Sequence, residues 1–573
     1  MLKLSLSAVD YVILIIYFVI VVAIGALARR AVATSEDFLL AGRSLPAWIT
    51  GLAFIAANLG ALEILGQAAN GAQYGLMTAH FYWIGAVPAM VFLGLVMMPF
   101  YYGSRVRSVP EYLRLRFNKP THVFNALTFA VSSVLIAGVN LFALALILEA
   151  LLGWSLYFSI IVGAVFVGLY ITLGGLSGAI YNEVLQFFVI LAGLIPLVVV
   201  GLYRVGGWHG LTQKIEHPGP GEHTPLYQWG HKAFTLWEGT GSSSTNPLGA
   251  NWFAIVFGLG FVLSFGYWTT NFAEVQRCLA AKNLSAARRT PLIGAYPKIF
   301  IPALTIIPGL IAVVTFPNLG VGGDPNSDLS YNKAIPLLIG QFLPSGVLGV
   351  AVTGLLAAFM AGMAANVSSF NTVVTYDLWQ PYVRRGRSDA YYLNVGRAAT
   401  IVGIVVGIFT ALIASGYNNI MNYIQLLFSV FNAPLFATFI IAMFWKRATP
   451  WAGLAGLIAG TVGALVTHLL YTGLILFGGP TLFEPVLHFG SAQDANFWGA
   501  IVAFVADAIV TVIVSLVTKP KPDSQLRGLV HGLARLDTRE EEVPASDRVW
   551  FRNPMLLGFT ALGLCAVLNV IFY

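Results

Sequence analysis

Runs of about 20 apolar residues recur along the whole chain, each long enough to cross a bilayer core of about 30 Å as a helix. Inside hydrocarbon every backbone N–H and C=O must be satisfied by the segment itself or by a closed barrel. Alternating segments of about 10 residues, the mark of a membrane barrel, are missing, so the spans are helices. Fourteen are read, at 7–28, 47–70, 76–102, 123–152, 156–173, 183–205 and 251–271, then 292–316, 345–377, 392–414, 420–444, 450–477, 495–517 and 554–573. The expected fold is an all-α polytopic membrane protein, a single membrane domain over 1–573. Only 10% of the residues are charged and 58% are hydrophobic, against about 25% charged in a soluble domain. That balance excludes a water-soluble enzyme. An aromatic share of 13% excludes disorder.

The net charge of +7 reads as membrane topology rather than as nucleic-acid binding. Of the 31 Lys and Arg residues, 24 fall in odd-numbered loops and four, counting Arg204 at the end of the sixth span, in even-numbered ones. The positive-inside rule then makes the odd loops cytoplasmic and both termini extracytoplasmic. Arg105, Arg107, Arg114 and Arg116, the pair Arg288/Arg289, and Arg384, Arg385 and Arg387 are orientation determinants on this reading. Cys278 is assigned to a cytoplasmic loop and Cys565 to the last span, so no disulfide framework is expected. The first apolar run is too long for a cleavable signal core. His209, His217, His223 and His231 share the loop 206–250 without the tight spacing of a metal site. The charged segment 518–553 reads as a connector with a short surface helix at 526–536.

Walker A, GxGxxG, HExxH and GxSxG patterns are all missing, which removes support for ATP-driven transport and for membrane hydrolysis; the chain is not expected to be an enzyme or to carry a cofactor. The informative residues are ionisable groups within apolar runs, each costing roughly 3 kcal/mol at a helix centre unless it faces a cavity or partner. They are Glu63, Glu149, Glu183, Glu274, Lys298, Asp377, Arg397 and Asp507. Several lie near span ends, where snorkelling explains them. Glu63 and Lys298 lie deeper. Two spans also look broken: the second, at Ala56–Glu63 around Gly60, and the seventh, with Gly258, Gly260 and Gly266 ahead of Tyr267–Asn271. Unwinding frees backbone carbonyls for a monovalent cation, and discontinuous helices in matching positions of two repeats point to a transport site. Spans 2 and 7 are five apart, as two five-helix repeats require; glycine-mediated helix packing is the alternative. Phe81-Tyr82-Trp83 and Tyr267-Trp268 fit an interfacial aromatic belt, or a surface on which a sugar ring stacks or a gate closes.

Several stretches, in order, carry a family resemblance. Glu36-Asp37-Phe38-Leu39-Leu40-Ala41-Gly42-Arg43-Ser44-Leu45-Pro46, Ile55-Ala56-Ala57-Asn58, Val109-Pro110-Glu111-Tyr112-Leu113 with Arg116-Phe117-Asn118, and Gly174-Gly175-Leu176-Ser177 resemble the sodium:solute symporter family. Gln276-Arg277-Cys278-Leu279-Ala280-Ala281-Lys282-Asn283 is similar to its sodium/glucose (galactose) cotransporter branch. The resemblance runs from about residue 8 to 450. It implies a LeuT-like core of two five-helix inverted repeats, 47–205 (spans 2–6) and 251–444 (spans 7–11), flanked by further helices including 450–573.

It also implies the site residues. The family's cation site falls on the carbonyls of Ala56, Leu59 and Ala358, with Glu183 at the accompanying acidic position. Its two hydroxyl ligands fall on Ala361 and Gly362, which have none, and Ser368 and Ser369 lie two turns away. Asn58, Tyr267, Trp268, Lys298 and Gln425 match the positions lining the sugar pocket. A family glutamine falls on Glu63, a glutamate on Tyr82, a serine on Gly85 and an asparagine on Ser264; Phe81 adjoins them. Such changes alter which hydroxyls a site can pair. The implied function is cation-coupled import of a small polar solute by alternating access, with Na⁺ as the coupling ion, sugar as the nearest class, and a monomer in the plasma membrane as the working unit. The alternatives are a proton-coupled or uncoupled carrier of a non-sugar solute, with Glu63 titrating, and a transporter-like sensor.

Overall fold

The computed structural model describes residues 6–28, 34–221, 223–324, 327–475, 481–533 and 549–573. Eleven helices among them are long and apolar enough to cross a membrane, and two bent helix pairs raise this to 13. The remaining expected span is the shorter apolar helix Leu156–Leu169. It is continuous with span 6 in one stretch, Leu156–Val205, interrupted where Gly175 turns to φ +55°. A Cβ on Gly175 would lie 2.5 Å from the Phe38 ring, so a glycine is needed there for both backbone and space.

Local chemistry starts these helices where the apolar runs begin. Asn118, Ser155, Asn283 and Ser491 each accept the backbone N–H three residues on, the usual N-cap arrangement. Arg116 closes the other end of span 11: its guanidinium donates to the carbonyls of Ala442, Trp445 and Ala448, which follow or end the helix Ala433–Phe444. Val347–Thr372 is buried almost throughout and forms the central post, packed against Leu156–Val205, Lys119–Leu152 and the first half of span 2.

Both expected breaks are present. Ala47–Asn58 and Leu62–Ala79 meet at 55°, and Ala254–Thr270 and Phe272–Leu279 at 49°. Each break has its own cap. Asn271, extended at ψ 114°, accepts from Ala273 N–H. At the other break, Asn140 of Lys119–Leu152 reaches across so that its Oδ1 accepts Ala61 N–H at 2.9 Å. Cys278 lies buried in the second half of span 7 rather than in an exposed loop, and Cys565 is also buried and free. The expected surface helix at 526–536 is replaced by the single turn Asp523–Leu526 followed by turns to residue 533; 534–536 lie outside the described residues. Loop 206–250 holds a helix, Gly207–Glu216, and His231 pairs with Glu216 at 3.2 Å. Among the described residues no group of His, Cys, Asp or Glu is placed to hold a metal.

Candidate functional site

The two breaks face each other across a buried cavity. Its walls come from span 2 (Leu62, Glu63, Gln67), span 3 (Phe81, Tyr82, Ala86), span 7 (Leu263, Ser264, Tyr267, Trp268) and span 11 (Met421, Gln425, Phe428). The cavity volume is about 30 Å³, room for about two waters.

One hydrogen-bonded chain crosses this wall. Lys298 Nζ lies 2.7 Å from Glu63 Oε1 and also donates to Asn58 Oδ1. Asn58 Nδ2 donates to the Tyr267 hydroxyl at 3.0 Å, and Tyr267 donates to Glu274 Oε1 at 2.7 Å. The Lys298 ammonium stands 5.0 Å from the centres of both the Tyr82 and Trp268 rings, within cation–π range. Tyr267 stacks on Phe428 with ring centres 4.4 Å apart. Glu63 thus pairs with Lys298, the most buried lysine among the described residues. Tyr82 reaches the Thr305 hydroxyl at 3.2 Å. Gln425 donates to Met421 Sδ at 3.4 Å. Glu63 Oε2, Gln67 Oε1 and Gln425 Oε1 are buried acceptors with no partner among the described residues. All three belong to cavity-lining residues, and a buried polar atom in that state calls for a donor.

The changed polar positions follow a spatial logic. A Cβ on Gly85 would lie 2.2 Å from Ser264 Oγ. The Ser264 hydroxyl, donating to Leu259 O at 2.8 Å, fills the space that a side chain at 85 would take. Phe81 lines the cavity and meets Phe497 with ring centres 5.9 Å apart.

The expected cation site is altered in the same manner. Gly60, at the break of span 2, and Gly362 of span 9 touch: a Cβ on Gly60 would lie 3.3 Å from Gly362 Cα. Asn140 Oδ1 lies against both, 2.4 Å from a Cβ at 60 and 2.3 Å from one at 362. A hydroxyl side chain at 362 and Asn140 exclude each other as the backbones stand. The Ala56 carbonyl already accepts Leu59 N–H at 3.1 Å. Ala358 and Ala361 are fully buried in the central post, while Ser368 and Ser369 bond the carbonyls of Ala365 and Asn366 on their own helix. Glu183 pairs with Arg277, both side chains fully buried, so its charge is already matched. The residues present do not supply the two-hydroxyl ligand set.

Three other flagged ionisable groups, Asp377, Asp507 and Arg397, meet partners outside the cavity lining. Asp377 accepts from Ser108 and lies 2.8 Å from His122 Nε2. Asp507 accepts from Thr438 and Thr511. The Arg397 guanidinium lies 5.9 Å from the Phe38 ring centre. Sequence reasoning missed the apolar lining residues Ala86, Leu263, Met421 and Phe428, and also the polar Gln67 and Asn140. The last two are neutral amides inside apolar spans, and a search for charges passes over them.

Known proteins match this architecture. The model of the sodium:solute symporter family matches residues 38–460. The chain is similar to sodium/glucose cotransporter 4 of Danio rerio, 28% identical over 95% of this chain and 84% of that protein. It is similar to the sodium/glucose cotransporter of Vibrio parahaemolyticus, 29% identical over 80% of this chain and 85% of the relative. Among solved structures, a Na⁺-coupled sialic acid symporter in a substrate-bound outward-open state superimposes with a TM-score of 0.70 at 17% identity, covering 90% of this chain and 99% of that one. A nucleobase-cation-symport-1 family transporter in a closed conformation follows with a TM-score of 0.50 at 16% identity, covering 86% and 97%. The fold is LeuT-like, and with spans 2 to 11 inside the matched region the chain belongs to the sodium:solute symporter family.

Proposed function

We propose that this protein imports a small polar organic solute in symport with a cation by alternating access, with sugar as the solute class and Na⁺ as the cation. The observation that carries the solute class is the cavity wall. Buried oxygens of Glu63, Gln67 and Gln425 lack donors among the described residues, in a lining that also holds the rings of Trp268, Tyr267 and Phe81. A polyhydroxylated ring matches that wall, with hydroxyls donating to the three oxygens and C–H faces lying on the aromatics. Family membership and the sodium/glucose relatives favour Na⁺. Each charge moving inward across 100 mV supplies about 2.3 kcal/mol, enough to concentrate a neutral solute roughly fiftyfold. On this reading the protein sits in the plasma membrane with both termini outside, works as a monomer, and uses 47–205 and 251–444 as its two repeats.

The test is uptake into liposomes. An inward Na⁺ gradient is imposed and accumulation of labelled glucose, galactose and myo-inositol is followed. Accumulation that collapses with gramicidin is the expected result. Failure of every polyol to accumulate refutes the solute class. The packing of Asn140 against Gly362 favours a second reading, a carrier driven by protons, in which the same uptake follows a pH gradient and ignores Na⁺.

A further inference from the structure

Five charged side chains are buried in and behind the cavity wall. Glu63 is paired with Lys298 and Glu183 with Arg277. The fifth, Glu274, is only 2% exposed and has no ion pair among the described residues. It sits on the short helix Phe272–Leu279 just after the break of span 7. Its Oε1 accepts from Tyr267, with Asn58 Nδ2 at 3.5 Å. Its Oε2 is buried and has no partner.

Three carboxylates therefore face two cations, and the cluster holds one surplus negative charge. The helices packed on Phe272–Leu279 offer nothing more to cancel it. Ala47–Asn58 and Val347–Thr372 contain no ionisable residue. Leu284–Thr315 brings Lys298, already held by Glu63 and Asn58, with Arg288 and Arg289 back at its first turns. Met98–Gly103 brings Tyr101 and Tyr102, whose hydroxyls bond the carbonyls of Thr269 and Ala281. Phe265–Thr270 brings Tyr267. On its own helix stand Arg277, held by Glu183, and the neutral Cys278. A buried carboxylate left without a counter-charge takes up a cation or a proton.

We propose that Glu274 binds the coupling cation, one monovalent charge per cycle, at the oxygen that faces no partner. A proton or a Na⁺ ion on Oε2 draws charge away from Oε1 and loosens its hold on the Tyr267 hydroxyl. That hydroxyl also receives Asn58, and Asn58 receives Lys298, whose other partner is Glu63 in the cavity wall. Cation occupancy and solute coordination are thereby linked through four hydrogen bonds. The use of the bound cation for import rests on the symport reading above; the binding itself does not.

The experiment uses the full-length protein in detergent without solute. Melting temperatures are compared in NaCl and KCl at matched ionic strength, each at pH 6 and pH 8. The readout is the response of the wild type minus that of Glu274→Gln, which keeps the side chain's shape and removes its charge. A ligand at ten times its dissociation constant raises the folded-to-unfolded ratio about elevenfold. The wild type is expected to show such a stabilisation and Glu274→Gln to lose it. A lost response to pH identifies the proton; a lost preference for Na⁺ over K⁺ identifies sodium. Glu274→Asp, which withdraws the carboxylate by one methylene, is expected to keep the response with a displaced midpoint, and this arm stands if the Gln variant does not fold. A Gln variant with the full wild-type response, an Asp variant with an unmoved midpoint, or a wild type indifferent to both cations overturns the proposal. Gradient-driven uptake with no such response would leave symport standing and remove Glu274 from it; the response without uptake would do the reverse.

Discussion

Gly362→Ser restores one of the two hydroxyls that the family places beside the broken span, and its cost follows from Asn140. The new Cβ would stand 2.3 Å from Asn140 Oδ1 and 2.8 Å from its Cγ, more than 1 Å inside an ordinary contact of about 3.5 Å for the first of these. Asn140 cannot simply swing away, because Oδ1 accepts Ala61 N–H at 2.9 Å and Nδ2 donates to Ile136 O at 3.1 Å. Overpacking of this kind costs about 1–3 kcal/mol. Asn140→Ala alone leaves Ala61 N–H buried without an acceptor, for about 1–3 kcal/mol. In the double variant the clash is gone, and the introduced serine hydroxyl stands beside the vacated amide, within reach of the span-2 break. The double variant should therefore be more stable than the sum of the singles by about 1–3 kcal/mol, the scale on which contacting residues couple. Thermal unfolding of the four proteins in one detergent gives the cycle. Additivity within about 0.5 kcal/mol would refute the mutual exclusion of Asn140 and a side chain at 362. A double variant that also gains a Na⁺-specific stabilisation absent from the wild type would show that the hydroxyl rebuilds a cation ligand.

Three further outcomes are expected. Lys298→Met should destabilise by about 3–5 kcal/mol, because it strands the buried Glu63 carboxylate; adding Glu63→Gln should recover much of the loss, as read by melting temperature. Arg116→Lys should cost about 1–3 kcal/mol, since one ammonium cannot reproduce a planar fork on three carbonyls and leaves one of them unpaired; the melting temperature should fall while the cavity residues are untouched. Burial pushes the Glu111 carboxyl up, but the Arg107 guanidinium and backbone N–H beside it more than offset this and hold it below its ordinary 4.5. A depressed carboxyl stabilises the fold above its unfolded value and loses that effect as pH falls through the lower folded value. The stability difference between wild type and Glu111→Gln should thus be constant above pH 4.5 and shrink toward zero in stronger acid, and a difference that grows on acidification would refute the pairing.

The sequence makes the spans legible because hydrocarbon demands long apolar runs, and it makes both breaks legible because glycine and polar residues interrupt those runs at matching positions. It singles out Glu63 and Lys298 as deep charges but does not say that they neutralise each other, since they lie on different spans and meet only through packing. Glu274 is misjudged for a local reason. Counting along span 7 puts it at the membrane edge, where a carboxylate reaches water; the 49° bend at Asn271 turns the following helix inward and buries it. The turns after residue 526 replace an expected surface helix because amphipathic spacing there is interrupted by Gly528 and Gly532, both at φ near +80°, a conformation that ends helices.

At the glycines that depart from the family pattern, the structure shows what takes the volume of the missing side chains. At Gly85 the missing side chain's space is filled by Ser264 Oγ, and at Gly60 and Gly362 by Asn140 Oδ1. In both cases an oxygen from another helix occupies the volume, so a polar atom stays where the residue type says it has gone. The two exchanges still differ in consequence. Ser264 spends its proton on Leu259 O, leaving oxygen lone pairs next to the cavity, where a solute hydroxyl can donate. Asn140 spends one lone pair on Ala61 N–H and thereby ties the broken span by a neutral bond where a bridging cation would tie it by charge. A helix break held shut by an amide does not need a cation to hold it. The unmatched charge then lies one break away, at Glu274, whose Oε2 is buried without a partner among the described residues, and the proposal made above places the coupling cation there.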